Sequence, residues 1–379
     1  DEFPDYEQKL WHLYDALDYA VNLENTSLIA YSGEIDKQKA AADLMEAALK
    51  QEGITMQHII GPKTGHKYEA KARETVAKLV DQAVANGRNL IPKKIRFITY
   101  TLRYNRMHWV TIDALEQHWE QARVDAELTP EGITLSTRNV AAITLSPKNL
   151  RSSRPRVTID GQVLAAPRGV PLADWSISYR KIAGKWSKAK ALSGLVKKHG
   201  LQGPIDDAFM DSFVFVKPDD TGWHSAVDEW VLDELADARF QWRRQMRGDS
   251  RVKSVAEVNA DDIANSHLVL WGDPSSNSLL ARLLPLLPLE WTKNSLSLAG
   301  REFDSKTHAA VLVFPNPLNP EKYMVLNSGM TYAHWGSASN SRQTPKLPDW
   351  AVLDVNVAAP KRLQGNGVAA AGFFDESWR

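Results

Sequence analysis

At 379 residues the chain exceeds the usual size of one hydrophobic core, so two or three domains are expected. Its 46 basic and 46 acidic residues balance, which argues against nonspecific nucleic-acid binding, an activity that needs a net basic surface. The absence of cysteine removes disulfides, thiolate nucleophiles and cysteine metal sites, and no apolar run reaches the roughly 18 residues of a membrane span.

Residues 6–22 read as an amphipathic helix with Leu10, Leu13, Tyr14, Leu17 and Ala20 on one side. The apolar run Leu28, Ile29, Ala30, Tyr31, broken by Ser32 and Gly33, reads as a short buried strand, and Asp36 falls just beyond its C-terminal end. A helix over about 37–50 follows, with Ala41, Leu44, Met45, Ala48 and Leu49 on one face, and Gly53 ends it. A second strand over 55–60 runs into the glycine-bracketed loop 61–66, which presents His66.

Strand, acid, helix, strand and histidine thus occupy the length of one right-handed crossover. The acid and the histidine project from the same carboxyl edge of a parallel sheet, where open α/β sheets place their chemistry. Chain order makes Asp36 and His66 candidates for the second and third members of a nucleophile, acid and histidine triad. The plainer reading is an N-cap aspartate and a loop histidine bonded to backbone. Glu34 and Lys37 read as surface residues, and Lys63, Thr64 and Lys67 surround the base.

The wording YSGEIDKQ followed by GPKTGHKY resembles the C-terminal half of the catalytic domain of the prolyl oligopeptidase-like serine hydrolase family, which has the α/β-hydrolase fold. The likeness is to a large bacterial branch with extra domains behind the hydrolase, and it covers about the first 90 residues. It implies that Asp36 is the triad acid and His66 the base. No G-x-S-x-G occurs in the chain, and the 35 residues before Asp36 cannot hold a nucleophile elbow and an oxyanion donor. The serine is therefore expected on an upstream segment or a companion chain, unless the portion is a remnant that no longer catalyses.

Residues 69–85 read as a further helix, and Ile91-Pro92-Lys93-Lys94 marks a boundary. Short alternating runs at 95–100, 107–112, 122–128, 132–137, 140–145, 156–159 and 175–179 predict an antiparallel β-sandwich, with Asp160-Gly161 as a hairpin turn. In the pairs His108-Trp109 and His118-Trp119 the strand period places one member in the core and one in solvent, which is a simpler reading than a metal or glycan site. Basic residues 187–198 predict a linker. The loop 199–209, similar to a stretch after the β-domain in the same bacterial branch, leads to a strand at 212–216.

A long helix over 223–246 and apolar runs at 266–273, 309–314 and 323–329 then call for a small parallel α/β unit. No glycine-rich phosphate loop occurs, so no nucleotide cofactor is expected. Asp206, Asp207, Asp211 and Asp273 lack calcium-loop spacing and read as capping and turn residues. His199, Arg243 and Arg244 are candidates for a cleft but read more simply as surface charges. The tail 343–379 is expected to pack over the last domain or against the missing portion.

The fold expected is α/β plus β: the C-terminal part of an α/β-hydrolase sheet (1–90), an antiparallel β-sandwich (91–190) and a small parallel α/β domain with its tail (199–379). The function expected is that of the C-terminal fragment of a serine hydrolase cleaving a peptide or ester bond, with Asp36 and His66 as catalytic residues. The alternative is a non-catalytic binding or assembly module with a vestigial hydrolase portion. No cofactor, metal, nucleic acid or membrane span is expected. The partners are the segment bearing the serine and a peptide or ester substrate, a homo-oligomer is admitted, and the setting is the periplasm or exterior of a bacterial cell.

Overall fold

The structure, a computed structural model, describes residues 3–148, 156–164, 175–189, 194–334, 344–358 and 365–379. Two compact units result, one formed by Asp15–Leu192 and the other by Asp1–Tyr14 together with Ser193–Arg379. The helix expected over 6–22 is divided between them. Helix α1 (Asp5–Leu10) and a 3-10 turn end at Leu13, and a separate 3-10 helix covers Ala16–Asn25. Asp15, extended at φ −72° and ψ 107°, takes the Leu17 N–H on its carboxylate, which starts a new helix rather than continuing the old one.

In the Asp15–Leu192 unit, β1 (Ile29–Gly33) and β2 (Gln57–Gly61) pair in parallel around the crossover helix α2 (Lys39–Gln51). The sequence of α2, alanine-rich and free of β-branched residues, favours the helix. Gly53 at φ 73° lies just beyond its end. Helix α3 (Ala70–Asn86) is capped by the Glu69 carboxylate and ends at Gly87.

The sandwich follows. Strands β3 (Lys94–Thr99), β4 (Arg106–Met107), β5 (Val110–Leu115), β6 (Ala122–Thr129), β7 (Gly132–Arg138), β8 (Val140–Leu145), β9 (Arg156–Ile159), β10 (Gln162–Leu164), β11 (Ile177–Ile182) and β12 (Lys185–Lys188) form two five-stranded sheets. Their orders are β10-β9-β7-β6-β3 and β12-β11-β8-β5-β4. Inward residues including Ile95, Phe97, Ile112, Val124, Ile143, Val157 and Tyr179 make one core. Every pair is antiparallel except β7 with β9, since β8 crosses to the other sheet and the chain returns in the direction of β7. Asp160 and Gly161, both at positive φ, turn β9 into β10.

The boundary expected near residue 90 does not separate two units. Asn22 occupies the outer edge of β3 like a neighbouring strand: its Nδ2 donates to the Ile98 carbonyl (2.8 Å) and its Oδ1 accepts the Ile98 N–H (2.7 Å). Glu52, at the end of α2, accepts from Arg123 at 3.1 Å and from Arg96. The single strand expected over 107–112 is broken, because His108 adopts φ 50° between β4 and β5. Trp119 also has positive φ, at 65°, so His118 and Trp119 lie in a turn and both are buried. Of the expected linker, 190–193 lie outside the described residues.

In the other unit β13 (Phe213–Val216), α4 (Ser225–Met246), β14 (Val252–Lys253), α5 (Ala260–Asn265), β15 (His267–Leu270) and α6 (Ser278–Leu283) alternate as expected. A small antiparallel sheet of β16 (Leu289–Trp291), β17 (Ser295–Leu298) and β18 (Arg301–Asp304) comes next. Then come β19 (His308–Asn316), β20 (Asn319–Leu326), the short helix α7 (Thr331–His334), β21 (Trp350–Asp354) and β22 (Val368–Gly372).

The main sheet has seven strands in the order β14-β13-β15-β20-β19-β21-β22. It is mixed, not the parallel sheet predicted: β14, β13, β15 and β20 run parallel, and β19, β21 and β22 pair antiparallel. Asn316 pairs with Asn319, so β19 and β20 form a tight hairpin with no room for a crossover. The tail supplies β21 and β22 instead of merely covering the domain. Asp207 accepts from the Tyr323 hydroxyl (2.9 Å) and Asp206 from the Thr331 hydroxyl. Asp211 accepts the Ser212 N–H, and Asp273 accepts the Ser275 and Ser276 N–H groups. Arg243 pairs with Asp249 on the surface. Two buried ion pairs, Lys197 with Asp349 at 2.7 Å and Lys346 with Glu7 at 3.2 Å, tie distant segments together.

Candidate active site

The site grows from the matched ends of β1 and β2. The parallel register sets Gly33 beside Gly61, and both chains turn away at that point. The ladder continues one step, with the Glu34 N–H on the Gly61 carbonyl (2.9 Å) and the Ile35 N–H on the Thr64 carbonyl (3.1 Å). The Glu34 side chain returns to accept the Lys63 N–H at 2.7 Å, which makes it a brace between the two loops rather than a free surface charge.

Gly33 is required by closeness rather than by its φ. A Cβ there would lie 2.2 Å from both the Thr64 and the Gly65 carbonyl oxygens. The second loop is held from below by Tyr31, whose hydroxyl donates to the Lys67 carbonyl and accepts the Glu69 N–H, each at 2.9 Å. The Tyr31 ring also stacks on Tyr68 at 4.4 Å.

This scaffold brings Asp36 and His66 together. Asp36 Oδ1 accepts the Gln38 N–H (2.9 Å), and Oδ2 meets Nδ1 of His66 (2.9 Å). These two bonds, the Gln38 N–H first and the imidazole second, lower the Asp36 carboxyl below its ordinary value. A carboxylate only accepts, so Nδ1 carries the proton and the Nε2 lone pair is left for other work. The Asp36 side chain is 12% exposed and that of His66 76% exposed. Among the described residues no hydrogen-bond partner of Nε2 occurs.

An oriented imidazole with an open nitrogen can accept a proton from a hydroxyl and return it to a leaving group. The serine nearest in sequence does not meet this base: Ser32 is buried, and its Oγ lies 3.0 Å from Nε2 of His58. Gly33, Glu34 and Tyr31 hold the two loops together, a part their residue types alone do not announce. The signal available for them was a pair of strands ending in glycine at equal register, which only the parallel pairing makes meaningful. No family model matches the chain, and neither the curated proteins nor the solved structures contain a match to it.

Proposed function

We propose that this chain supplies the acid and the base of a serine hydrolase acting on a peptide or ester bond, with the nucleophile on a segment outside these residues. The observation that carries the reading is the contact between Asp36 Oδ2 and His66 Nδ1, with Nε2 open at the carboxyl edge of two parallel strands. Incomplete burial of the same element supports it. Strands of parallel sheets are normally covered on both faces, yet β1 and β2 are largely half-buried or exposed. On α3, Val80 and Val84, one turn apart on the same face, are both exposed. Further parallel strands on the free edge of β1 would bury these surfaces and bring a nucleophile elbow beside the histidine.

In the reaction, the serine hydroxyl attacks the carbonyl carbon while Nε2 of His66 takes its proton. The resulting imidazolium is stabilised by Asp36 and gives that proton to the departing amine or alcohol. Water then repeats the cycle on the acyl-enzyme. The test is fluorophosphonate labelling of the protein purified from its native cells. A serine outside residues 1–379 should be labelled, and His66→Ala should abolish labelling in a folded protein. Labelling at the normal rate in that variant would reject His66 as the base, and the chain would then be read as an assembly module.

A further inference from the structure

A second cluster lies on α2 and β2, away from the loop edge. Asp43 and Glu46 are three residues apart on α2 and so share a face, and His58 is the second residue of β2. One carboxylate oxygen from each acid and a ring nitrogen of His58 all lie within 4.8 Å of one another. The Nδ1 atom of His58 is 3.3 Å from Glu46 Oε2. Two ligands bound at about 2.0–2.1 Å at the tetrahedral angle stand about 3.3 Å apart.

The other face of the ring is fixed independently. Nε2 meets the hydroxyl oxygen of Ser32 at 3.0 Å, and the His58 side chain is only 6% exposed. In the metal-free ring the Glu46 carboxylate holds the proton on Nδ1 and Nε2 accepts from the Ser32 hydroxyl. An ion displaces the Nδ1 proton, and the ring then carries its proton on Nε2 and donates it to the Ser32 oxygen, the outer contact by which proteins orient a metal-binding imidazole. Ser32 sits in the paired part of β1 and is 7% exposed, so it serves as an orienting acceptor and not as a nucleophile. Lys39 stands at the rim, its Nζ 2.6 and 2.8 Å from the Asp43 oxygens.

We propose that Asp43, Glu46 and His58 bind a first-row divalent transition ion, zinc being the probe, with water completing the shell. One nitrogen and two carboxylates favour zinc, cobalt or manganese over calcium and magnesium, which prefer oxygen alone. The ion fastens α2 to β2, the helix that follows Asp36 and the strand that precedes His66. Binding itself does not depend on the hydrolase reading.

The test is calorimetric titration of the whole chain with zinc chloride, with the visible absorption of bound cobalt as a second readout. One saturable site is expected. His58→Gln and Glu46→Gln should each weaken it at least about tenfold, and His66→Gln should leave it intact. Lys39→Met removes the competing ammonium without touching a ligand atom and should tighten binding. Circular dichroism confirms that each variant is folded. No saturable binding to the unaltered chain, binding undiminished in both ligand variants, or a site lost only with His66→Gln would overturn the proposal.

Discussion

Replacing Gly33 by alanine tests the geometry that joins the two loops. The added methyl would lie 2.2 Å from the carbonyl oxygens of Thr64 and Gly65. Ordinary contact needs about 3.4 Å or more, so the loop carrying His66 has to retreat by about 1 Å. Both obstacles are backbone atoms, and no side-chain rotation relieves them. Added to the present 2.9 Å between Asp36 and His66, such a retreat carries the pair beyond hydrogen-bonding range.

Overpacking of this kind costs about 1–3 kcal/mol of stability. A misplacement of about 1 Å in a catalytic group lowers reactivity by about 10²-fold. Two assays apply: the fluorophosphonate labelling rate, and the nitrogen-15 shifts of the His66 ring, which report whether Nδ1 holds the proton. In Gly33→Ala the labelling rate should fall about 10²-fold and the ring should lose its Nδ1–H preference. A folded variant with unchanged ring shifts would refute the steric reasoning whatever the labelling showed.

The Asp36 carboxyl, lowered by the Gln38 N–H and by His66, should titrate below the ordinary aspartate value of about 3.9. Its pairing is complete above that value and is lost as pH falls through the lowered one, so a carbon-13 titration midpoint at or above it would contradict the structure. Asn22→Ala strips two hydrogen bonds from the Ile98 backbone and should cost about 1–3 kcal/mol in denaturant unfolding, a loss below about 0.5 kcal/mol arguing that water replaces the amide. His267 is buried, accepts the Tyr323 N–H on Nδ1 at 2.8 Å, and faces Lys322 and Asp211. Burial, assisted by Lys322, pushes its pKa down to about 4. The unfolded chain therefore binds a proton that the folded one refuses, and stability should decline between about pH 6.5 and 4 by about 3 kcal/mol, with a flatter profile in His267→Gln.

What could be read from sequence was local. The loops bearing Asp36 and His66 follow from apolar runs that stop at Ser32-Gly33 and Gly61-Pro62, and the turn at Asp160-Gly161 follows from two residues that tolerate positive φ. The helix at 225–246 follows from its length and composition. What could not be read depended on partners far along the chain. The strands at Trp350–Asp354 and Val368–Gly372 are short apolar pieces that acquire a role only when the first lies beside β19 and the second beside β21, and the break at Tyr14 and Asp15 separates residues that share one amphipathic pattern but pack in different units. Likewise Asp43, Glu46 and His58 look like unrelated surface residues until α2 is laid across β2.

The packing of the first 14 residues with those beyond 193 has a consequence for biosynthesis. The Asp15–Leu192 unit is continuous and can close while translation is still under way. Glu7 has to stay in water until Lys346 leaves the ribosome, because its carboxylate is 3% exposed in the finished protein and that ammonium is its ion-pair partner. That ion pair thus closes only after the 338 residues between its two members have been made.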